Sequence, residues 1–271
     1  MTWWEAALLG LVQGLTEFLP VSSSGHLVLG KYVLGLDLAA GDNVTFEVFV
    51  HFGTALSILT VYGRRVLDIV TETLGAAARP AAFGARYESS EGLRFGLFIL
   101  ITLVPTGIVY VLFKDPLEAA FQNPRLVSGM LLVTGLLLLL TRLRKHPEGR
   151  LSPLKAFVVG LAQAAAMIPG ISRSGATICT ALYQNVTPEK AADFSFLMLL
   201  PVVLGATLLK SLDMLEGGLT MGWAPLAVGT AVAYASGIVA IKVVLDFVRR
   251  GRLDYFAYYC FAVGTIGLIF I

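Results

Sequence analysis

Arg173 lies in a stretch of chain that otherwise carries no charge. The segment PGISRSGAT (Pro169–Thr177) surrounds it with serine and glycine, and residues 156–186 contain no other acidic or basic side chain. Arginine presents a planar set of N–H donors that matches phosphate oxygens. A helix beginning near Ser172 would add free N–H groups and a positive partial charge. The segment therefore predicts a phosphate site. Its candidate residues are Ser172, Arg173, Ser174, Gly175 and Thr177.

A second polar cluster lies near the start of the chain, in QGLTEFLPVSSSGH (Gln13–His26). Gln13 and Glu17 are four residues apart and would share one face of a helix. Glu17 could bind a divalent cation, Mg²⁺ or Ca²⁺, because such ions prefer oxygen ligands, or it could act as a base. Ser23 and His26 are three residues apart and could form a nucleophile and its base. The remaining phosphate-binding candidates are Ser22 and Ser24.

These residues also have purely structural interpretations. Arg173 could pair with Glu17 or Asp193. The serines could cap a turn, and His26 could be a hydrogen-bonded interior histidine. Glu47 is either a further metal ligand, beside Glu17 and Gln13, or a structural partner of the cluster. We favour the functional interpretation because carboxylate, hydroxyl, imidazole and guanidinium groups are all expected at one place, and because a structural ion pair would not explain the serines and glycines around Arg173.

The composition indicates what kind of element carries these residues. Of the 271 residues, 56% are hydrophobic and 14% are charged, and the mean hydropathy is +0.79. Soluble domains are about 25% charged. The chain is therefore predicted to be an all-α polytopic membrane protein with one integral membrane domain, 1–271. Its start has no signal-peptide pattern, and its basic loops are expected to face anionic lipid rather than nucleic acid.

Six apolar runs are long enough to cross a bilayer as helices, which takes about 20 residues. They are 44–62, 93–113, 124–142, 191–210, 223–248 and 253–271. Two further apolar regions, 6–30 and 153–186, are interrupted by proline, serine, glycine and polar residues.

The basic residues between these runs are distributed unevenly. One set of loops holds 14 lysines and arginines, in 64–94, in 142–155, at Lys190 and in 249–252. The opposite set holds four, namely Lys31, Lys114, Arg125 and Lys210. The positive-inside rule assigns the first set to the cytoplasm and both chain termini to the outside. Each interrupted region then enters and leaves on one side, so both are predicted to be re-entrant helical hairpins.

The two hairpins resemble each other at an offset of 150 residues. Identical pairs are Gly10/Gly160, Leu11/Leu161, Gln13/Gln163, Ser22/Ser172, Ser24/Ser174 and Gly25/Gly175. Related halves that enter from opposite sides form an inverted-topology repeat, here approximately 1–150 and 151–271. Because sites in such folds lie at the repeat interface, residues 22–26 and 172–177 are predicted to meet.

With these motifs the chain resembles the bacterial undecaprenyl-diphosphate phosphatases of the bacitracin-resistance type. QGLTEFLPVSSSGH and PGISRSGAT carry the resemblance, supported by Phe46–Val48 and by FSFLM with Pro201, and it covers essentially the whole chain. It implies removal of one phosphate from undecaprenyl diphosphate, which returns the lipid carrier for peptidoglycan and other envelope polymers. It also implies a divalent-cation requirement, the bacterial cytoplasmic membrane, and a site open to its outer side.

The functional residues implied by the resemblance are Gln13, Glu17, Ser22, Ser23, His26, Ser172, Arg173, Ser174 and Thr177. Many members have glutamate where this chain has Gln13, and an amide cannot serve as a base, so that role shifts to Glu17. Ser23, His26 and water remain open as the nucleophile. The alternative function is a lipid-phosphate transporter or flippase, which would need the phosphate site but no nucleophile. The sequence leaves open whether the chain forms a homodimer.

Overall fold

Helices joined by short turns make up the protein. The computed structural model describes residues 1–36, 40–143, 148–217 and 222–271, and no strand occurs in these ranges. The helices are α1 (Trp3–Phe18), α2 (Ser23–Val33), α3 (Ala40–Ala77), α4 (Phe83–Ser89), α5 (Glu91–Ala120), α6 (Pro124–Leu140), α7 (Pro153–Ala165), α8 (Arg173–Tyr183), α9 (Pro188–Leu197), α10 (Leu199–Gly217), α11 (Trp223–Arg249) and α12 (Asp254–Phe270). Arg144 and Lys145 of the predicted basic loop lie outside the described residues.

Five segments of the described chain are long and apolar enough to cross a membrane. They are Val44–Ala77, Glu91–Ala120, Pro124–Leu143, Pro188–Leu212 and Trp223–Arg249. The sixth predicted span corresponds to α12, which has 17 residues and is shorter than these. The helix that contains the first predicted span is longer than that span, because α3 continues past Arg64 and Arg65 to Ala77. Charged residues limit a membrane span, but arginine is a good helix former and does not end a helix.

The two interrupted regions are pairs of helices separated by short breaks. In the first, α1 ends at Phe18 and Pro20 lies in the turn that leads to α2. In the second, α7 ends at Ala165, and Gly170 in the turn has a φ of +95°, a conformation that glycine adopts without steric cost. Each break therefore places the start of a new helix inside the bundle.

The starts of α2 and α8 have the same hydrogen bonds. Ser22 Oγ accepts from the N–H of Gly25 at 3.2 Å, and Ser172 Oγ accepts from the N–H of Gly175 at 3.0 Å. Such a cap satisfies one of the N–H groups that a helix start leaves without an intrahelical partner. The equivalent residues of the two hairpins thus fold alike.

Equivalent glycines let the first helix of each hairpin lie close to a long helix. α1 packs most extensively on α11, and α7 packs on α5. A Cβ on Gly10 would overlap the carbonyl oxygen of Gly229, and a Cβ on Gly160 would lie 2.8 Å from Cα of Thr102. Both positions therefore need glycine for close backbone approach.

The two breaks lie against each other. A Cβ on Gly25 would lie 3.2 Å from Cα of Gly170, and one on Gly175 would lie 3.3 Å from Cβ of Pro20. The two contacts are equivalent under the offset of 150 residues, because positions 25 and 20 of the first hairpin correspond to positions 175 and 170 of the second. Ser174 Oγ also donates to the carbonyl of Leu19 at 3.2 Å across the same contact. These contacts join each of the segments 22–26 and 172–177 to the turn that precedes the other, so the two segments lie close together.

Candidate active site

Glu17 is the centre of the polar cluster at the breaks. Its Oε2 accepts from Ser23 Oγ at 2.6 Å and from Gln13 Nε2 at 2.8 Å, while Oε1 accepts from Arg173 Nη2 at 2.7 Å. Its side chain is only 5% exposed. One buried carboxylate at the end of α1 therefore binds the first residues of both α2 and α8.

Arg173 is oriented by α9 as well as by Glu17. Its Nη1 donates to the carbonyl oxygen of Ser195 at 2.7 Å, and the hydroxyls of Thr177 and Ser195 lie 2.7 Å apart. The ion pair of Arg173 with Glu17 is thus present, whereas Asp193 binds Arg65 instead. A guanidinium carries five N–H donors, so these two contacts leave donors for a ligand.

A cavity of about 400 Å³ lies beside this cluster. Its polar lining residues are Glu17, Ser22, Ser23, Ser24, Glu47, His51, Tyr110, Lys114, Glu118, Arg173 and Thr207. Much of its remaining wall is aliphatic, including Val44, Val48, Leu199, Val202, Val203 and Ala206. The cavity therefore combines a charged end with apolar surface, as an amphiphilic lipid phosphate would require.

The predicted phosphate-binding residues fall into two groups. Ser22, Ser24 and Arg173 line the cavity. The others are buried and are not among the described residues that line it; they are Ser172, Ser174, Gly175 and Thr177. Their hydrogen bonds join the two breaks and hold Arg173. Their geometry is therefore that of a support for Arg173.

His26 does not lie beside the Ser23 hydroxyl in the way that the sequence spacing suggested. Its Nδ1 is 2.7 Å from the carbonyl oxygen of Ser22, and its Nε2 is 2.9 Å from the hydroxyl of Tyr259. It is not among the described lining residues of the cavity. Ser23 donates its hydrogen bond to Glu17, so the group in contact with this hydroxyl is the Glu17 carboxylate.

The candidate metal ligands differ in their environments. Glu47 Oε1 lies 2.5 Å from Lys31 Nζ, as the structural interpretation of Glu47 requires. Gln13 is fully buried, and its Oε1 has no hydrogen-bond partner. A buried acceptor without a donor is unusual. Among the described residues, no three His, Cys, Asp or Glu side chains are grouped for a metal ion. Gln13 Oε1 and the Glu17 carboxylate nevertheless fit a cation that prefers oxygen ligands.

His51 and Lys114 are two of the cavity residues that were not singled out from the sequence. His51 lies with Nε2 3.5 Å from Glu17 Oε2 and Nδ1 2.7 Å from the carbonyl oxygen of Glu47. A carbonyl only accepts, so Nδ1 carries the hydrogen and Nε2 faces the carboxylate. The signal in the sequence was a histidine one helical turn after Glu47 in an apolar span, a pattern that also fits a packed residue.

Lys114 is the second of these residues. α5 has a non-helical residue at Phe113 (φ −126°, ψ 20°), near Pro116. The break turns the last part of α5, with Lys114 and Glu118, onto the cavity. The two side chains are exposed and 3.8 Å apart, and exposed pairs of this kind contribute little to stability. Lys114 is therefore a cation available to a ligand at the cavity.

Comparisons with known proteins agree with these motifs. A protein-family model described as bacitracin resistance protein BacA matches residues 6–266. The undecaprenyl-diphosphatase of Salinibacter ruber is 65% identical over 268 residues, which cover 99% of each chain. The undecaprenyl-diphosphatase of Bacteroides fragilis is 40% identical, over 99% of this chain and 98% of its own. That of Halothermothrix orenii is also 40% identical, over 98% of this chain and 96% of its own. The chain therefore belongs to the bacitracin resistance protein BacA family.

Proposed function

We propose that this multi-pass membrane protein is an undecaprenyl-diphosphatase, as its relatives are named. It hydrolyses undecaprenyl diphosphate to undecaprenyl phosphate and inorganic phosphate, returning the lipid carrier to peptidoglycan and envelope-polymer synthesis and conferring bacitracin resistance. The observation that carries this function is the contact of the Ser23 hydroxyl with buried Glu17, 2.6 Å away, beside Arg173. A carrier of lipid phosphates would need the arginine but not a hydroxyl with a carboxylate base.

The proposed membrane arrangement has six spanning segments and two re-entrant hairpins. The spanning segments are α3, α5, α6, α9 with α10, α11 and α12. The hairpins are α1 with α2 and α7 with α8. The halves 1–150 and 151–271 are inverted-topology repeats, which the matched caps and the exchanged contacts at the two breaks support. Broken helices at a repeat interface are a usual place for a site in such folds.

The cavity is proposed to open to the outer side of the bacterial cytoplasmic membrane. Its α3 residues, 44–51, lie at the end of that helix opposite Arg64 and Arg65. Its α5 residues, 110–118, lie at the end opposite Arg94. Because cytoplasmic loops are rich in Lys and Arg, the cavity lies away from the cytoplasmic face, and the chain termini lie outside.

The substrate is placed with its diphosphate at the charged end of the cavity and its isoprenoid tail along the aliphatic wall. Arg173 and the N–H groups at the start of α2 bind the terminal phosphate, while the other residues at the start of α8 hold Arg173 in place. Lys114 contacts the phosphate attached to the lipid. All of these residues belong to one chain, so a homodimer is not required for the site.

In the proposed reaction, Ser23 Oγ attacks the terminal phosphorus and its proton passes to Glu17. The bond between this phosphorus and the bridging oxygen breaks, and its electron pair leaves with undecaprenyl phosphate, which takes up the proton. Water then attacks phosphorylated Ser23, releasing phosphate and restoring the hydroxyl. Arg173 offsets the charge that develops on the phosphoryl oxygens. Direct attack by water, with Ser23 only binding phosphate, is the alternative within this function.

A divalent cation, Mg²⁺ or Ca²⁺, is proposed as the cofactor. Gln13 Oε1 and Glu17 would hold it, with Glu47 as a further candidate. When bound, it would offset the negative charge of the phosphates.

Phosphate release from undecaprenyl diphosphate by the purified protein in detergent tests the function. Release that stops with a chelator and returns with Mg²⁺ or Ca²⁺ is expected. Well-folded protein that releases no phosphate, but moves undecaprenyl phosphate across the bilayer of a proteoliposome, would contradict the phosphatase and support the transporter.

A further inference from the structure

The carbonyl group of Ser22 is held in a strained turn. Ser22 has φ +71° and ψ 94° and is one of two described non-glycine residues with positive φ. Such a conformation is disfavoured for a residue with a side chain and persists only where surrounding contacts impose it. Because this peptide continues directly into Ser23, its orientation sets where the Ser23 hydroxyl points.

His26 supplies two of the contacts that hold this turn. The carbonyl oxygen of Ser22 accepts from the backbone N–H of His26 at 3.1 Å and is 2.7 Å from Nδ1 of the same residue. A carbonyl oxygen cannot donate, so Nδ1 carries the ring hydrogen in this network. The imidazole therefore acts here as a hydrogen-bond donor to strained backbone.

Tyr259 on α12 fixes the other side of the same ring. Its hydroxyl lies 2.9 Å from His26 Nε2, and the planes of the two rings are nearly parallel, at 9°. With the hydrogen on Nδ1, Nε2 has a free lone pair, so Tyr259 is the donor. This bond keeps the imidazole in the tautomer and orientation that serve the Ser22 carbonyl.

We propose that Tyr259 and His26 are positioning residues that hold the Ser22 carbonyl and thereby fix Ser23 against Glu17. This inference rests on the proposed function, with Ser23 as the reacting hydroxyl. Both ring nitrogens of His26 are committed to partners, and the ring is not among the described side chains that line the cavity. His26 therefore acts through the backbone and exchanges no proton with the substrate.

Asparagine at position 26 separates this role from proton transfer. The amide nitrogen of Asn can take the place of Nδ1 and donate to the Ser22 carbonyl, but an amide cannot act as a base. His26→Ala should lower kcat by about 30-fold with KM within about threefold, as expected for a lost hydrogen bond that orients a reacting group. His26→Asn should recover kcat to within about fivefold of the native protein, while His26→Gln should not. The pH profile of His26→Asn should keep the native shape.

Tyr259→Phe tests the hydrogen bond from Tyr259 to His26, with Tyr258→Phe as its control. Tyr258 is adjacent in sequence but packs on Arg142. Tyr259→Phe should lower kcat by about three- to tenfold and speed hydrogen exchange of the backbone at 19–26, and it should have no further effect in the His26→Asn background. Tyr258→Phe should change neither.

The outcomes distinguish this inference from the proposed function. Native protein that turns over, with His26→Asn as inactive as His26→Ala at the same melting temperature, would overturn the positioning role and leave the phosphatase in place. Backbone hydrogen exchange at 19–26 that is the same in Tyr259→Phe as in the native protein would also overturn the positioning role. This measurement does not depend on activity. Native protein without phosphatase activity would instead count against the proposed function.

Discussion

Glu17 and Arg173 are 156 residues apart in the sequence and form one ion pair, with Oε1 and Nη2 separated by 2.7 Å. Position 173 is the repeat equivalent of position 23, and Glu17 binds both Ser23 and Arg173. At equivalent positions of the two hairpins, one therefore supplies the hydroxyl and the other the cation. A single carboxylate holds both of them at the cavity.

The Ser23 hydroxyl is expected to be the nucleophile. Ser23→Ala should lower kcat by about a thousandfold or more. Acid-quenched native protein should carry label from undecaprenyl diphosphate labelled in its terminal phosphate, on the peptide that contains Ser23. Ser24→Ala is the matched control, because Ser24 lines the same cavity but bonds to Ser22 at 3.3 Å. Ser23→Ala protein with turnover near that of Ser24→Ala would support direct attack by water.

The unpaired oxygen of Gln13 leads to an expectation for the cofactor. If Gln13 Oε1 binds the divalent cation, Gln13→Ala should raise the Mg²⁺ or Ca²⁺ concentration for half-maximal activity by about tenfold. Gln163 is the repeat equivalent and donates to Thr106 at 3.0 Å, so Gln163→Ala should leave this concentration unchanged. Titration of activity with each metal after chelation gives the comparison. If native and Gln13→Ala protein need the same metal concentration for half-maximal activity, Gln13 does not bind the metal.

Close packing of the hairpins predicts a stability effect. Gly10→Ala and Gly160→Ala place a methyl group against the backbone of α11 and α5, and overpacking of this kind costs about 1–3 kcal/mol. Gly63→Ala is the control, because nothing lies within 4 Å of a Cβ there, and alanine favours a helix by up to about 1 kcal/mol over glycine. Thermal unfolding in detergent should show a lower midpoint for the first two variants only. A midpoint for Gly10→Ala equal to that of Gly63→Ala would contradict the close approach of α1 and α11.

Most of the helices could be predicted from the sequence because each depends on features within its own segment. These features are the length of an apolar run and the proline or glycine residues that interrupt it. The interrupted regions 6–30 and 153–186 became two helix pairs with breaks at Pro20 and Gly170. The convergence of Glu17, Ser23 and Arg173 also followed from the repeat. These features depend on a single segment or on an internal comparison of two segments.

Side-chain directions could not be predicted in the same way. The spacing of Ser23 and His26 allowed a direct pair, but the strained backbone at Ser22 turns His26 toward Tyr259 instead. His51 and Lys114 reach the cavity only because α3 and the broken end of α5 pack beside the hairpins. Tertiary contacts of this kind leave no periodic pattern in the sequence.

Lys114 should affect substrate binding more than the chemical step. Lys114→Ala is expected to raise KM for undecaprenyl diphosphate by about tenfold, with kcat within about threefold, because a partly exposed charge contact contributes about 1–1.5 kcal/mol. Lys114→Arg should restore most of the affinity. Arg125→Ala removes an exposed basic residue of the same outer set that is not among the described lining residues, and it should leave KM unchanged. A native KM in Lys114→Ala, or a fall in kcat alone, would contradict the placement of the lipid-linked phosphate.

The central claim is that Arg173 holds the phosphates at the meeting point of the two hairpins. The most direct test is phosphate release from undecaprenyl diphosphate by native protein, Arg173→Ala, Arg173→Lys and the control Arg250→Ala, whose side chain is exposed and paired with Asp246. Arg173→Ala should release phosphate at least about a hundredfold more slowly, since charge stabilisation in the transition state is lost. Arg173→Lys should recover only part of this rate, because lysine lacks the planar fork, and Arg250→Ala should match the native protein. Near-native release by folded Arg173→Ala would contradict the account.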